Sequence, residues 1–110
     1  MSSDALRREL DALSAEYRSR LPAKLAEIHA LWFDLASGAI PAARVIDLRR
    51  ELHSIAGSAK TFGVAAVGEI AAAAESLLDP FWQHGALPEP AGRAELTRLI
   101  DALQRAAATV

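Results

Sequence analysis

The sequence predicts an all-α fold, an up-down-up-down four-helix bundle with an additional N-terminal helix or helix extension. Three observations carry this. Apolar residues recur at steps of three and four through successive stretches, the period of a helix with one buried face. Alanine, the strongest helix former, is abundant, and no stretch alternates as a strand would. Glycine and proline sit where the periodicity breaks, and the short connections they make set neighbouring helices antiparallel.

Ser2, Ser3 and Asp4 offer N-cap oxygens to a first helix, which carries Leu6, Leu10, Leu13 and Tyr17 at helical spacing. Pro22 has no N–H to donate, so a break or kink is expected over 18–22, with Pro22 in the first turn of the next helix. That helix aligns Leu21, Leu25, Ile28, Trp32 and Leu35 and ends at Ser37-Gly38. A helix opening near Pro41 holds the clearest stripe in the chain: Val45, Leu48, Leu52, Ile55, Ala59 and Phe62, capped by Gly63. On the following helix Val67, Ile70, Ala74 and Leu77 are expected to face inward, and Asp79-Pro80 ends it. Residues 80–92 contain three prolines and two glycines and form the one loop of any length; Phe81 and Trp82 are expected to fold back on the bundle. The last helix is expected from Glu89 to Ala107, burying Leu96, Leu99, Ile100 and Leu103. The expected division is a helical extension over 1–19 and a bundle over 20–110.

At 110 residues the chain is the size of one small domain. Its formal net charge of −2 argues against general nucleic-acid binding, which draws on a strongly basic surface. The absence of cysteine removes disulfides, thiolate metal sites and thiol catalysis. The N-terminus lacks the apolar run of a signal peptide, and no stretch approaches a membrane span. A soluble, cytoplasmic protein without membrane contact is expected.

The stretch that carries chemistry is Arg49 to Gly63. At about 100° per residue, the stripe through Leu48, Leu52, Ile55 and Ala59 marks the buried side, and His53 lies roughly 130° from its middle. His53 is therefore expected in water, in the middle of a strong helix. Arg49, Arg50, Ala56, Gly57 and Lys60 share its side. Glycine inside a helix costs about 1 kcal/mol relative to alanine, so Gly57, one turn beyond His53, is read as clearance beside the imidazole. A neutral ring nitrogen is a competent nucleophile towards phosphorus, and an imidazole in water is largely neutral at cellular pH. A phosphoryl group adds a charge of about −2; Lys60, two turns along, and Arg49 and Arg50, one turn back, are placed to balance it.

The run His53-Ser54-Ile55-Ala56-Gly57-Ser58-Ala59-Lys60-Thr61-Phe62-Gly63 resembles the signature of histidine-containing phosphotransfer (HPt) domains. It is similar in particular to the phosphoacceptor domain of chemotaxis histidine kinases. The likeness spans residues 20–105, through the Phe62-Gly63 turn and a long helix ending Glu75-Ser76-Leu77-Leu78-Asp79. The resemblance implies a phosphorelay carrier and not an enzyme with its own substrate. His53 would take a phosphoryl group from a histidine kinase or a receiver domain and pass it to a response-regulator aspartate. It implies no cofactor on this chain, with Mg²⁺ on the partner receiver. Gly57 would give clearance, Ser58 would hydrogen-bond near the phosphoryl group, and Leu52, Ile55 and Phe62 would hold the helix. The family usually has lysine three residues after the histidine. Here that position is Ala56, and Lys60 is expected to stand in. Arg49, Arg50, Ala56 and Phe33 are the expected partner contacts, and the chain is expected to be a monomer. The competing reading is a degenerate helical adaptor that binds partners without phosphotransfer. No metal site is expected, since His53 has no carboxylate or histidine four residues on, and His29 and His84 have no local partner.

Overall fold

The computed structural model describes residues 3–109. Ser2, expected among the capping residues, lies outside them. Four helices follow in order: α1 Ser3–Ser37, α2 Val45–Thr61, α3 Ala65–Leu78 and α4 Pro90–Ala108. They run up, down, up and down around one apolar core, and no strand occurs among the described residues. Single 3₁₀ turns at Ala42–Arg44 and Trp82–His84 precede α2 and α4.

The expected break at Pro22 does not occur. α1 runs unbroken for 35 residues with Pro22 inside it. Proline removes one hydrogen bond, to the Arg18 carbonyl, but Pro22 lies on the exposed face where water can satisfy that group. The neighbouring Leu21 and Leu25 are fully buried and hold the helix in register. Each such leucine contributes roughly 1.5–3 kcal/mol. Leu21, Leu25, Ile28, Trp32 and Leu35 form the buried face of α1, as their spacing predicts. Trp32 Nε1 donates to Thr97 Oγ1 at 2.9 Å, tying α1 to α4. Lys24 on α1 pairs with Glu51 on α2.

α2 buries Val45, Leu48, Leu52, Ile55 and Ala59, the expected stripe. Phe62 follows half-buried, its ring stacked on Tyr17 at 4.8 Å. Gly63 turns the chain with φ of 80°, a conformation open chiefly to glycine. The inward face of α3 is rotated from the expected one. Val67, Gly68, Ala71, Ala74 and Leu78 are buried, while Ile70 and Leu77 are only partly covered. The cause is Gly68. A Cβ there would stand 3.2 Å from Ala59 Cβ and 3.4 Å from the Ala56 carbonyl oxygen, so α3 lies against α2 along its small residues. α4 buries Leu96, Leu99, Ile100 and Leu103 as expected, with Ala107 added. Pro88 in the preceding loop is fully buried.

The α2–α3 turn closes the bundle at the level of Tyr17 and Arg18. α1 therefore continues about 20 Å past it, at 1.5 Å per residue. The molecule is accordingly elongated, 52 × 25 × 20 Å. Leu6, Leu10 and Leu13 on this projecting part are each about half exposed. No helix of the described residues is long and apolar enough to cross a membrane.

Candidate functional site

His53 is the middle residue of α2 and points away from the core, its side chain 65% exposed. The helix puts it there because Leu52 and Ile55 on either side are drawn inward. Its Nδ1 lies 2.7 Å from Glu75 Oε2 on α3. Towards an ionised carboxylate Nδ1 can only donate, and in a neutral ring that arrangement leaves the lone pair on Nε2. Glu75 is only 15% exposed, and Arg49 Nη2 reaches the same Oε2 at 3.2 Å. The Arg49 guanidinium lies over the Trp82 ring, Cζ 4.7 Å from its centroid. Four residues from α2, α3 and the loop before α4 thus form one chain of contacts ending on the imidazole.

Gly57 is exposed, and a Cβ placed on it would meet nothing within 4 Å. The space beside the ring is open, and Gly57 is not spent on helix packing; Gly68 does that instead. Lys60 is exposed and makes no ion pair among the described residues. Its Cγ comes within 3.6 Å of where a Gly68 Cβ would stand, so its stem lies along α3 and its ammonium is left available. Two turns of helix separate it from His53, a rise of about 10 Å. Ala56 is half-buried between them.

The other expected site residues are placed differently. Ser58 turns to α1. Its Oγ donates to the Ser54 carbonyl at 2.8 Å, and the Tyr17 hydroxyl lies 2.8 Å from the same oxygen. A hydrogen bond from Ser58 to a group on His53 would have to break this arrangement. Arg50 is exposed and pairs with Asp47 at 3.6 Å. Arg49 is not a free surface cation, because Glu75 and Trp82 occupy it. Phe33 is 64% exposed, but the pairing of Lys24 with Glu51 sets residue 22 of α1 level with His53. Phe33 is therefore roughly 16 Å further along the helix axis and does not join the site.

Glu75 and Trp82 are the residues that sequence reasoning missed. A signal for Glu75 existed: α3 is nearly all alanine and aliphatic, and Glu69 and Glu75 are its only charges. Nothing local marked Trp82 as a partner of Arg49. Away from the site, His29 faces Asp101 at 3.4 Å across α1 and α4. No cluster of metal-ligating residues occurs among the described residues.

An outward imidazole with one nitrogen tied to a carboxylate, an empty position one turn on and an exposed cation beyond it thus lie together on α2. No curated protein and no solved structure matches the chain. The family model of the Hpt domain matches residues 12–109, nearly the whole length, and the chain belongs to that family.

Proposed function

We propose that this Hpt domain relays phosphoryl groups through Nε2 of His53, between a histidine kinase or receiver aspartate and a response-regulator aspartate. The observation that carries the reading is the exposed imidazole whose Nδ1 is held by Glu75 while Gly57 leaves its surroundings open. In the forward step the Nε2 lone pair attacks the donor phosphorus. The N–P bond forms as the bond from phosphorus to the donor's leaving oxygen breaks, and that oxygen keeps the electron pair. The proton on Nδ1 stays where it is, and Glu75 balances the positive charge that the ring acquires. In the return step a receiver carboxylate attacks phosphorus and the electron pair returns to Nε2. The receiver brings Mg²⁺ and most of the catalytic groups, so the chain is a carrier and not a catalyst. Lys60 takes the place of the lysine missing at Ala56 and holds the transferred group. The acceptor site is complete within one chain, which suits a monomer, and kinase and receiver partners suit the cytoplasm.

Incubation with a histidine kinase and ATP, or with phosphoramidate as a small-molecule donor, should give acid-labile, base-stable label. His53→Gln should abolish it; label that survives this substitution overturns the assignment. Lys60→Ala should shorten the phosphohistidine lifetime. An unchanged lifetime and rate would remove Lys60 from the site without touching His53. No label from any donor favours the adaptor reading, which the alanine at position 56 keeps in view.

A further inference from the structure

We propose that Arg49, held by the Trp82 indole, is a positioning residue for the phosphoacceptor. It fixes the Glu75 carboxylate on Nδ1 of His53, and so makes the loop between α3 and α4 a determinant of Nε2 reactivity. The inference rests on the phosphotransfer reading of His53.

One carboxylate oxygen serves both donors: Glu75 Oε2 is 2.7 Å from His53 Nδ1 and 3.2 Å from Arg49 Nη2. Without Arg49 the Glu75 carboxylate would keep one tie fewer and could turn to other rotamers, so the tautomer it selects at His53 would no longer be fixed. Arg49 holds Oε2 at the ring while leaving the hydrogen bond to Nδ1 in place.

Arg49 is not held in this place by its own helix. The adjacent Arg50 shows where such a side chain otherwise goes, its side chain 69% exposed. Arg49 is turned down instead, and its Nε is buried with no hydrogen-bond partner. A buried unpaired donor is uncommon and calls for a compensating contact. The indole face supplies it, since a guanidinium stacked on an aromatic ring gains electrostatically and loses little hydration. Lysine offers no planar face and no fork, so charge alone would not reproduce the arrangement.

Trp82 is itself fixed. It opens the 3₁₀ turn Trp82–His84, which Gly85 closes at φ of 64°. A Cβ on Gly85 would come within 3.4 Å of Ala43 Cα, so the turn is seated against the segment leading into α2. The order of support therefore runs from the loop to Arg49, to Glu75, to the imidazole.

The test uses the full chain. Long-range proton–nitrogen correlation of the His53 ring reads the tautomer, and phosphoramidate reads the rate of phosphorylation. The wild type should show the proton on Nδ1. Arg49→Met, Arg49→Lys and Trp82→Leu should each give a mixture of tautomers and a rate lower by about tenfold, the scale of losing one charge-assisted hydrogen bond. Trp82→Phe, which keeps an aromatic face, should restore most of both, and Gln83→Ala in the same turn should change neither. A folded Arg49→Met protein with the wild-type tautomer overturns the proposal. So does a lower rate without a change of tautomer, since that is what a purely structural staple would produce. If the wild type accepts no phosphoryl group from any donor, the relay reading fails, and the tautomer measurement still decides the role of Arg49.

Discussion

Two glycines, Gly57 on α2 and Gly68 on α3, show how differently one residue type is used on two packed helices. At Gly57 an added methyl group meets nothing, so Gly57→Ala should keep the fold and raise stability by about 0.5–1 kcal/mol, the usual helix-interior difference. Gly57→Leu should fold as well, yet fill the space beside His53 and slow phosphotransfer, which comparison of melting temperature with labelling rate will separate. Gly68→Ala is expected to act in the opposite sense. Its new Cβ would press on buried Ala59 and on the Ala56 backbone, neither of which can swing aside. A loss of about 1–3 kcal/mol in chemical denaturation is expected, typical of overpacking. The glycine proposed to give clearance beside His53 is the one that stability does not need.

Among the elements, α1 divides by what covers it. Its second half supplies Leu21, Leu25, Ile28, Trp32 and Leu35 to the core, while Leu6, Leu10 and Leu13 stay half in water. The apolar spacing is the same in both halves; the difference is that, among the described residues, the α2–α3 turn meets α1 at Tyr17 and Arg18, beyond Leu6, Leu10 and Leu13. Deleting residues 3–11 should therefore shift the melting temperature by only about 3 °C or less, because exposed positions contribute within about 0.5 kcal/mol. Leu25→Ala in the covered half should cost about 2–5 kcal/mol. A deletion that unfolds the bundle would show that the projecting helix supports the core.

Across the whole molecule, the polar ties between helices are few and lie at the rim. The Glu51 carboxylate beside Lys24 raises the lysine above its usual pKa of 10.5. A group whose pKa is raised on folding stabilises the protein fully below the unfolded value. That contribution is lost as pH rises through the higher folded value, so this tie should hold at neutral pH and fail only above about 10.5. Denaturation midpoints measured from pH 8 to 12 should fall less steeply in Glu51→Gln than in the wild type. Equal slopes would mean that the pair contributes nothing, as many solvent-screened pairs do.

The helices, the buried stripe of α2 and the outward direction of His53 were legible in the sequence, because all three follow from a local period of 3.6 residues. Gly57 was legible for the same reason: its face is set by its distance along one helix from Leu52 and Ile55. The continuity of α1 through Pro22 was not, since it depends on which side of the helix meets water and on core contacts that hold Leu21 and Leu25. The inward face of α3 was not legible either, because an alanine-rich helix has no strong apolar stripe and the close approach of Gly68 to Ala59 and Ala56 appears only once α2 and α3 are packed. Above all, Glu75 and Trp82 come to His53 and Arg49 from 22 and 33 residues away. Periodicity locates a side chain around its own helix axis; which side chain it meets is decided only when the helices come together.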